Sequence, residues 1–319
     1  MANDRDDAWS ERTGADLRLG VHESVGELFP PAVLRDELAD AAAVEVVDDP
    51  ADVDALVTFE YEDAFLSADL GWIHSIQAGV DRFPFGDLEA RGVALTNSTG
   101  IHGDVVGETV TGYMLSFARR LHAHRSNQDA GRWEFPDWDR PFTLRGERLC
   151  VVGLGTLGRG IARRADALGM DVTGVKRTPT PVDHVRRVRP PEDLTDAVGD
   201  ARFIALAVPL VEETRGLIGA DELAAMRDDA YLVNVARGPV VDESALVEAL
   251  RADALAGAAL DVFEAEPLPD DSPLWDMDEV LVTPHAAAAN REYYRRVATL
   301  VRRNVRHLDE GRSLVNRVV

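Results

Sequence analysis

Val151-Val152-Gly153-Leu154-Gly155-Thr156-Leu157-Gly158-Arg159-Gly160 is the stretch whose reading decides the fold. Residues 149–152 are apolar and β-prone and read as a strand. Gly153, Gly155 and Gly158 follow in the spacing G-x-G-x-x-G, and residues 161–168 continue with helical periodicity. A strand that turns tightly into a helix gathers unpaired backbone N–H groups and the positive helix end at one point, which suits a pyrophosphate. The first glycine permits the turn, the second lets the backbone approach the phosphates, and the third lets helix and strand pack closely. The spacing alone says little in a chain with 25 glycines. With strand and helix on either side it predicts a dinucleotide site that includes Thr156 and Leu157 on the first helical turn.

Outward from this turn the pattern repeats. Residues 171–175, 203–208, 231–235, 257–262 and 280–283 read as strands alternating with helical stretches. That alternation predicts right-handed βαβ crossovers and a parallel sheet. Upstream, residues 17–21, 44–47, 55–59, 73–76 and 93–96 are shorter strand candidates, so the first hundred residues read as a small open α/β unit. Residues 31–42 read as a helix opened by Pro31. Gln77-Ala78-Gly79-Val80-Asp81 follows one strand directly. It is either a plain turn or a set of amides offered to an anion. Residues 97–100 are turn-rich and read as a hinge, residues 102–125 as one long helix, and residues 128–145 as irregular chain. The last helix, residues 291–309, is expected to return to the first unit.

The chain has 319 residues, enough for two domains. No apolar run reaches the roughly 18 residues of a membrane span, so no membrane association is expected. Residues 1–16 are polar and acidic, contain no signal segment, and read as a loose tail. Cys150 is the only cysteine, so no intramolecular disulfide or Cys metal cluster can form, and it reads as a small core hydrophobe. Together these features suggest the cytoplasm. The net charge is −23, from 57 acidic and 34 basic residues. Such a surface repels nucleic acid and anionic lipid. Only one basic residue is lysine, Lys176. An acid-rich, lysine-poor surface resembles that of proteins from salt-loving archaea, where salt screens self-repulsion to a Debye length of about 3 Å at 1 M. A codon bias toward arginine explains the missing lysine but less readily the excess acid.

A site for NAD carries Asp or Glu at the end of the second strand, about 20 residues beyond the glycines, to hold the ribose 2′-hydroxyl. Here that position falls on Lys176, followed by Arg177 and Thr178. Two cations and a hydroxyl suit a 2′-phosphate. The expectation is a preference for NADP(H), with NAD(H) as the lesser cofactor.

Three further segments start at the carboxyl ends of predicted strands, where parallel sheets place ligands. They are residues 235–243 with Arg237, residues 261–268 with Asp261 and Glu266, and Thr283-Pro284-His285-Ala286-Ala287. Each alone is ambiguous; at successive strand ends they point to one site.

These motifs together resemble the D-isomer-specific 2-hydroxyacid dehydrogenase family. The resemblance covers nearly the whole chain and includes the glycine motif, Leu206-Ala207-Val208-Pro209-Leu210, the stretch from Glu213 and Thr214 to Ile218, and the three segments above. It implies two Rossmann-like, doubly wound parallel-sheet domains with a cleft between them. The substrate domain would comprise residues 1–97 and 288–319, and the dinucleotide-binding domain residues 98–287. It implies Arg237, Glu266 and His285 as the catalytic set, Ala78 and Gly79 amides on the substrate carboxylate, and Asp261 on the nicotinamide carboxamide. Val208, Pro209, Thr214, Val235, Ala236 and Ala287 would join the cofactor pocket, and a homodimer would form through the nucleotide domains.

The chemistry fits. A 2-keto acid needs its carboxylate held, its carbonyl polarised and a proton delivered as hydride arrives. Arg237 offers a fixed donor fork, His285 a general acid that takes the proton back in oxidation, and Glu266 a carboxylate that fixes the imidazole tautomer and favours the imidazolium. Three departures from the family pattern stand out. Alanines, 286–289, follow the histidine in place of glycines; Lys176 replaces the acidic ribose ligand; and bulky Phe59 and Tyr61 occupy an early loop. Phe59 or Tyr61 beside the substrate would favour aliphatic 2-keto acids over glyoxylate or hydroxypyruvate, whose reductase is the alternative reading. A formate dehydrogenase is opposed by Glu266, since that family carries Gln there. A dinucleotide-sensing corepressor is the rival of another class. The remaining histidines form no metal-ligand pattern.

Overall fold

The computed structural model describes residues 17–319; the acidic stretch read as a tail lies outside them. The chain divides into two compact units, one from Met1–Ile101 with Ala289–Val319, the other His102–Ala288. The divisions therefore fall after Ile101 and Ala288, where the sequence placed them after residues 97 and 287.

The first unit carries a five-stranded sheet of β1 (Arg18–His22), β2 (Ala43–Val47), β3 (Ala55–Thr58), β4 (Trp72–Ser75) and β5 (Ala94–Asn97). Every pairing is parallel, in the order β2-β1-β3-β4-β5. That is the flavodoxin-like doubly wound order. β3, β4 and β5 are buried at every position, as strands covered on both faces must be. Helices α1 (Pro31–Leu38) and α2 (Phe85–Ala90) connect them, and the last helix, α9 (Tyr293–Asp309), belongs to this unit as expected. Val297, Ala298, Val301 and Val305 fall at helical spacing on one face of α9 and pack with Leu19, Val21, Leu34 and Trp72. Each large side chain so buried contributes about 1.5–3 kcal/mol, so an acidic residue at Val301 would undo this packing.

The second unit holds β6 (Arg148–Val152), β7 (Asp171–Val175), β8 (Arg187–Arg189), β9 (Phe203–Leu206), β10 (Tyr231–Asn234), β11 (Gly257–Leu260) and β12 (Val280–Val282). The order is β12-β11-β10-β9-β6-β7-β8, again all parallel. This is the dinucleotide-binding order 3-2-1-4-5-6 with a seventh strand added, and its switch point lies between β6 and β9. Helices α3 (Gly103–Ala118), α4 (Leu121–Asp129), α5 (Thr156–Ala167), α6 (Leu194–Gly199), α7 (Ala220–Ala225) and α8 (Glu243–Arg251) complete the unit.

Two elements differ from the sequence reading. The long helix of residues 102–125 is two helices, α3 and α4, parted at Arg120, whose φ of 57° ends helical geometry. No glycine or proline marks the break. Strand β8 carries only the polar Arg187-Val188-Arg189 and has no apolar alternation to announce it.

Candidate active site

The glycine turn sits at the carboxyl end of β6. Gly153 has φ +95°, and its N–H donates to Val175 O at 2.9 Å, tying the turn to the end of β7. A Cβ there would lie 2.5 Å from Ala207 O, beyond β9. A Cβ on Gly158 would fall 1.8 Å from Gly153 O, so α5 can approach β6 only through glycine. At Gly155 the same position meets nothing within 4 Å. The turn is thus closed where helix meets strand and open at the helix N-terminus, whose amides have no intrahelical acceptor. That open cradle fits a pyrophosphate.

Around it lie the other cofactor candidates of this unit. Lys176 follows Val175 directly; its N–H donates to Arg189 O at 3.1 Å and its Nζ to Thr180 Oγ1 at 3.1 Å. Lys176 is half-buried, while Arg177 and Thr178 are exposed. Thr214 Oγ1 donates to Pro209 O at 2.6 Å and accepts from Val211 N, which folds residues 209–214 beyond Val208 into a short loop. Val235 and Ala236 are buried just past β10.

The three segments singled out in the sequence follow β10, β11 and β12, which are neighbours. Asn234, almost wholly buried, accepts from Ala236 N at 3.0 Å and donates from Nδ2 to Arg237 O at 3.1 Å, fixing the turn that presents Arg237. Arg237 Nη1 donates to Ala236 O at 2.8 Å. After β11, Glu266 Oε1 accepts from Phe263 N at 3.0 Å, and Glu266 Oε2 lies 2.8 Å from His285 Nδ1. A carboxylate only accepts, so Nδ1 carries a proton and Nε2 is the reactive nitrogen. The peptide bond Glu266–Pro267 is cis. Burial opposes the charge on Glu266, but the bond from His285, the Phe263 amide and the positive charges of His285 and Arg237 outweigh it. They hold its carboxyl below the usual range. Both side chains remain partly exposed, 45% for His285 and 36% for Glu266, so the pair is open to a reactant.

His285 itself has φ 52°. Its N–H donates to Asp261 O at 2.8 Å. The Asp261 carboxylate, 2% exposed, accepts from Ala286 N (2.8 Å), Ala287 N (2.9 Å) and Thr283 Oγ1 (2.6 Å). The first two of the alanines that follow His285, Ala286 and Ala287, are therefore clamped by their amides. The sequence reading gave no role to Thr283, although it stood in the stretch 283–287, nor to Asn234, inside the predicted strand 231–235.

In the first unit, the loop after β4 is anchored by Asn97 Nδ2 on Ala78 O (2.7 Å) and by Ser98 N on Gln77 O (2.9 Å). Among the described residues, no acceptor within the chain takes the Ala78 or Gly79 N–H. Phe59 lies under the Arg82 guanidinium, 5.2 Å from its ring centroid, and Arg82 also bonds Gln77 Oε1 and Phe59 O. Tyr61 turns against Phe65 and Phe83. The sequence singled out Phe59 and Tyr61 but not Arg82. Cys150 is buried, and burial pushes its thiol up to about 12, as befits an inert core residue. No cluster of metal-ligating side chains occurs among the described residues, and no helix there is long and apolar enough to cross a membrane.

An imidazole backed by a carboxylate, at the same carboxyl edge of the sheet as a dinucleotide turn, equips an oxidoreductase that passes a proton while the nicotinamide passes a hydride. Residues 111–287 match the family model described as "D-isomer specific 2-hydroxyacid dehydrogenase, NAD binding domain". A glyoxylate reductase of Thermofilum pendens is 35% identical over 259 residues, covering 77% of this chain and 75% of the relative. The chain belongs to the D-isomer specific 2-hydroxyacid dehydrogenase family. Among solved structures, a family enzyme from Xanthobacter autotrophicus Py2 in complex with NADPH and MES is 33% identical, with TM-score 0.80, covering 96% of this chain and 98% of the other. The NADPH-dependent glyoxylate/hydroxypyruvate reductase of Sinorhizobium meliloti, in complex with NADP and sulfate, is 26% identical with TM-score 0.79, covering 95% and 98%.

Proposed function

We propose that this protein is a 2-keto acid reductase that works reversibly on small, aliphatic 2-keto acids with NADP(H) preferred over NAD(H). The observation that carries the reading is the 2.8 Å contact between His285 Nδ1 and Glu266 Oε2, with Arg237 acting on the same carboxylate. Arg237 holds the substrate carboxylate and polarises the carbonyl; His285 Nε2 gives the proton; Glu266 keeps the opposite nitrogen protonated. When bound, the nicotinamide supplies the hydride. In the first unit, read as the substrate domain, the Ala78 and Gly79 amides take the substrate carboxylate. In the second, read as the nucleotide domain, Gly153, Gly155, Thr156, Leu157 and Gly158 take the pyrophosphate. Val208, Pro209, Thr214, Val235, Ala236, Asp261 and Ala287 flank the cofactor.

Lys176, Arg177 and Thr178 carry the NADP preference, and the NADP(H)-bound relatives support it. A second substrate reading, glyoxylate or hydroxypyruvate, is favoured by the names of the Thermofilum and Sinorhizobium relatives and by the Arg82 cation over Phe59. NADPH oxidation followed with a panel of 2-keto acids tests both. Turnover of aliphatic acids supports the first, preference for glyoxylate or hydroxypyruvate the second, and no oxidation with any of them contradicts the function.

The nearly fully exposed Trp133, Phe135 and Trp138 support a homodimer formed through the second unit, and light scattering tests it. The charge of −23 supports adaptation to high salt without nucleic-acid or membrane partners, and the lone cysteine supports a cytoplasmic protein. Full stability in dilute buffer would contradict the salt adaptation.

A further inference from the structure

We propose that Tyr113 and Thr283 are positioning residues for His285, acting through a directed hydrogen-bond chain that fixes Asp261 and, with it, the loop that carries the imidazole. The proposal rests on the reading of His285 as proton donor.

The loop needs fixing. His285 is a non-glycine residue at φ 52°, a left-handed conformation that persists only where its surroundings determine it. Asp261 supplies three of the bonds that hold it, beside the Glu266 contact to the ring and a shared bond of the His285 amide to Thr283 O. The Asp261 carbonyl oxygen takes the His285 amide, Oδ1 takes the Ala286 amide and Oδ2 the Ala287 amide. Thr109 Oγ1, on α3, adds a bond to Ala287 O at 2.9 Å.

What aims the Asp261 carboxylate is Thr283, whose Oγ1 lies 2.6 Å from Oδ1. The next link is Tyr113, also on α3, whose Oη lies 2.6 Å from Thr283 Oγ1. The polarity of this chain is forced. A carboxylate only accepts, so the single hydroxyl proton of Thr283 points to Asp261, and Tyr113 must donate to Thr283. Burial pushes the Tyr113 phenol up to about 12, so it keeps that proton throughout the working range.

The chain also bears on charge. Burial, the largest influence, pushes the Asp261 carboxyl above its usual range, and the donors from Thr283, Ala287 and Ala286 oppose it. His285 therefore faces two carboxylates, Asp261 from the end of β11 and Glu266 from the segment beyond it, with the Arg237 cation acting from the β10 turn and neutral Tyr113 behind Asp261. Loss of the Thr283 donor leaves the ionised Asp261 carboxylate no longer aimed from Oδ1, so the loop carrying His285 is held less firmly and the imidazolium loses part of its counter-charge.

The test compares wild type, Thr283→Val, Thr283→Ser and Tyr113→Phe by the pH dependence of kcat for NADPH-driven reduction of the best 2-keto acid. The protonated imidazole is the active form in this direction, so activity falls on the alkaline side. Thr283→Val is expected to move that limb to lower pH by about one unit, an about 10-fold loss above it, with KM little changed. Tyr113→Phe moves it the same way by less, and Thr283→Ser restores the wild-type profile. Superimposable limbs, a loss uniform over pH, or a serine variant as poor as the valine one would overturn the proposal. If Thr283→Val does not fold, Tyr113→Phe, which deletes one oxygen, carries the comparison. NMR titration of the His285 ring, assigned by its absence in His285→Ala, reads the same chain without turnover. A wild type that reduces no 2-keto acid removes the enzymatic reading alone, whereas an unchanged His285 titration midpoint in the variants removes the positioning role.

Discussion

Gly238 and Phe263 touch backbone to backbone: a Cβ on Gly238 would lie 1.8 Å from Phe263 O and 1.9 Å from its carbonyl carbon. Gly238 directly follows Arg237, and the Phe263 amide donates to Glu266. The contact therefore sets the guanidinium segment against the carboxylate segment with no side chain in between.

Gly238→Ala forces these two segments apart. Overpacking against backbone that cannot rotate away costs about 3 kcal/mol, which urea denaturation measures. Reduction should fall further than stability alone explains, because Arg237 and Glu266 no longer share one frame. A variant with wild-type stability and turnover would show that the close approach is dispensable.

Glu266→Gln keeps a hydrogen-bonding group beside Nδ1 and removes the charge. Glu266 sits below the usual carboxylate range, so its contribution is present above its unfolded value and is lost only as pH falls through its lower folded value. Across neutral pH it is ionised and favours the imidazolium. The alkaline limb of the reduction profile should shift to lower pH by about one unit in the variant, a modest effect because the pair is partly solvated. A pH–rate series checks it, and an unmoved limb would deny Glu266 its electrostatic part.

Lys176→Ala with Arg177→Ala should raise KM for NADPH roughly 10- to 100-fold and change KM for NADH far less, since charge-assisted contacts to a phosphate are lost from one cofactor only. Equal kcat/KM for the two cofactors in the wild type would contradict the assigned preference.

His74 predicts an acid-sensitive first unit. Trp72 Nε1 donates to Thr96 Oγ1 at 2.8 Å, and Ser98 Oγ donates to Ser75 O at 3.2 Å. His74 Nε2 must then donate to Ser98, whose own proton is spent on Ser75, and the ring, kept neutral by burial, accepts from Thr96 Oγ1 at Nδ1. Complete burial pushes its pKa down from 6.5 to about 3. The unfolded chain therefore binds a proton that the folded one refuses as pH falls below about 6.5. Stability drops by about 1.4 kcal/mol per pH unit, or roughly 2 kcal/mol from pH 6.5 to 5. His74→Gln should lack this component when denaturation is followed by tryptophan fluorescence at both pH values; an equal slope in the variant would exclude His74 as its source.

Local pattern carried the architecture. Apolar runs bounded by turns located eleven of the twelve strands because parallel strands covered on both faces must be apolar. β8 escaped because its place at the sheet edge allows Arg187 and Arg189. The break at Arg120 escaped because it depends on packing rather than on a glycine or proline. Arg237, Glu266 and His285 could be placed along one sheet edge from the sequence because each lies in a segment that follows a strand. Tyr113 and Arg82 were not, since their partners are set by tertiary contact. Tyr113 lies 170 residues from Thr283, with no local signal of the pairing.

The assignment of His285 as proton donor is tested by the rate of NADPH-dependent 2-keto acid reduction by His285→Ala, paired with the Kd for NADPH of the same protein. The expected kcat is lower by about 10²- to 10⁴-fold with cofactor binding retained. Near-wild-type turnover would contradict it.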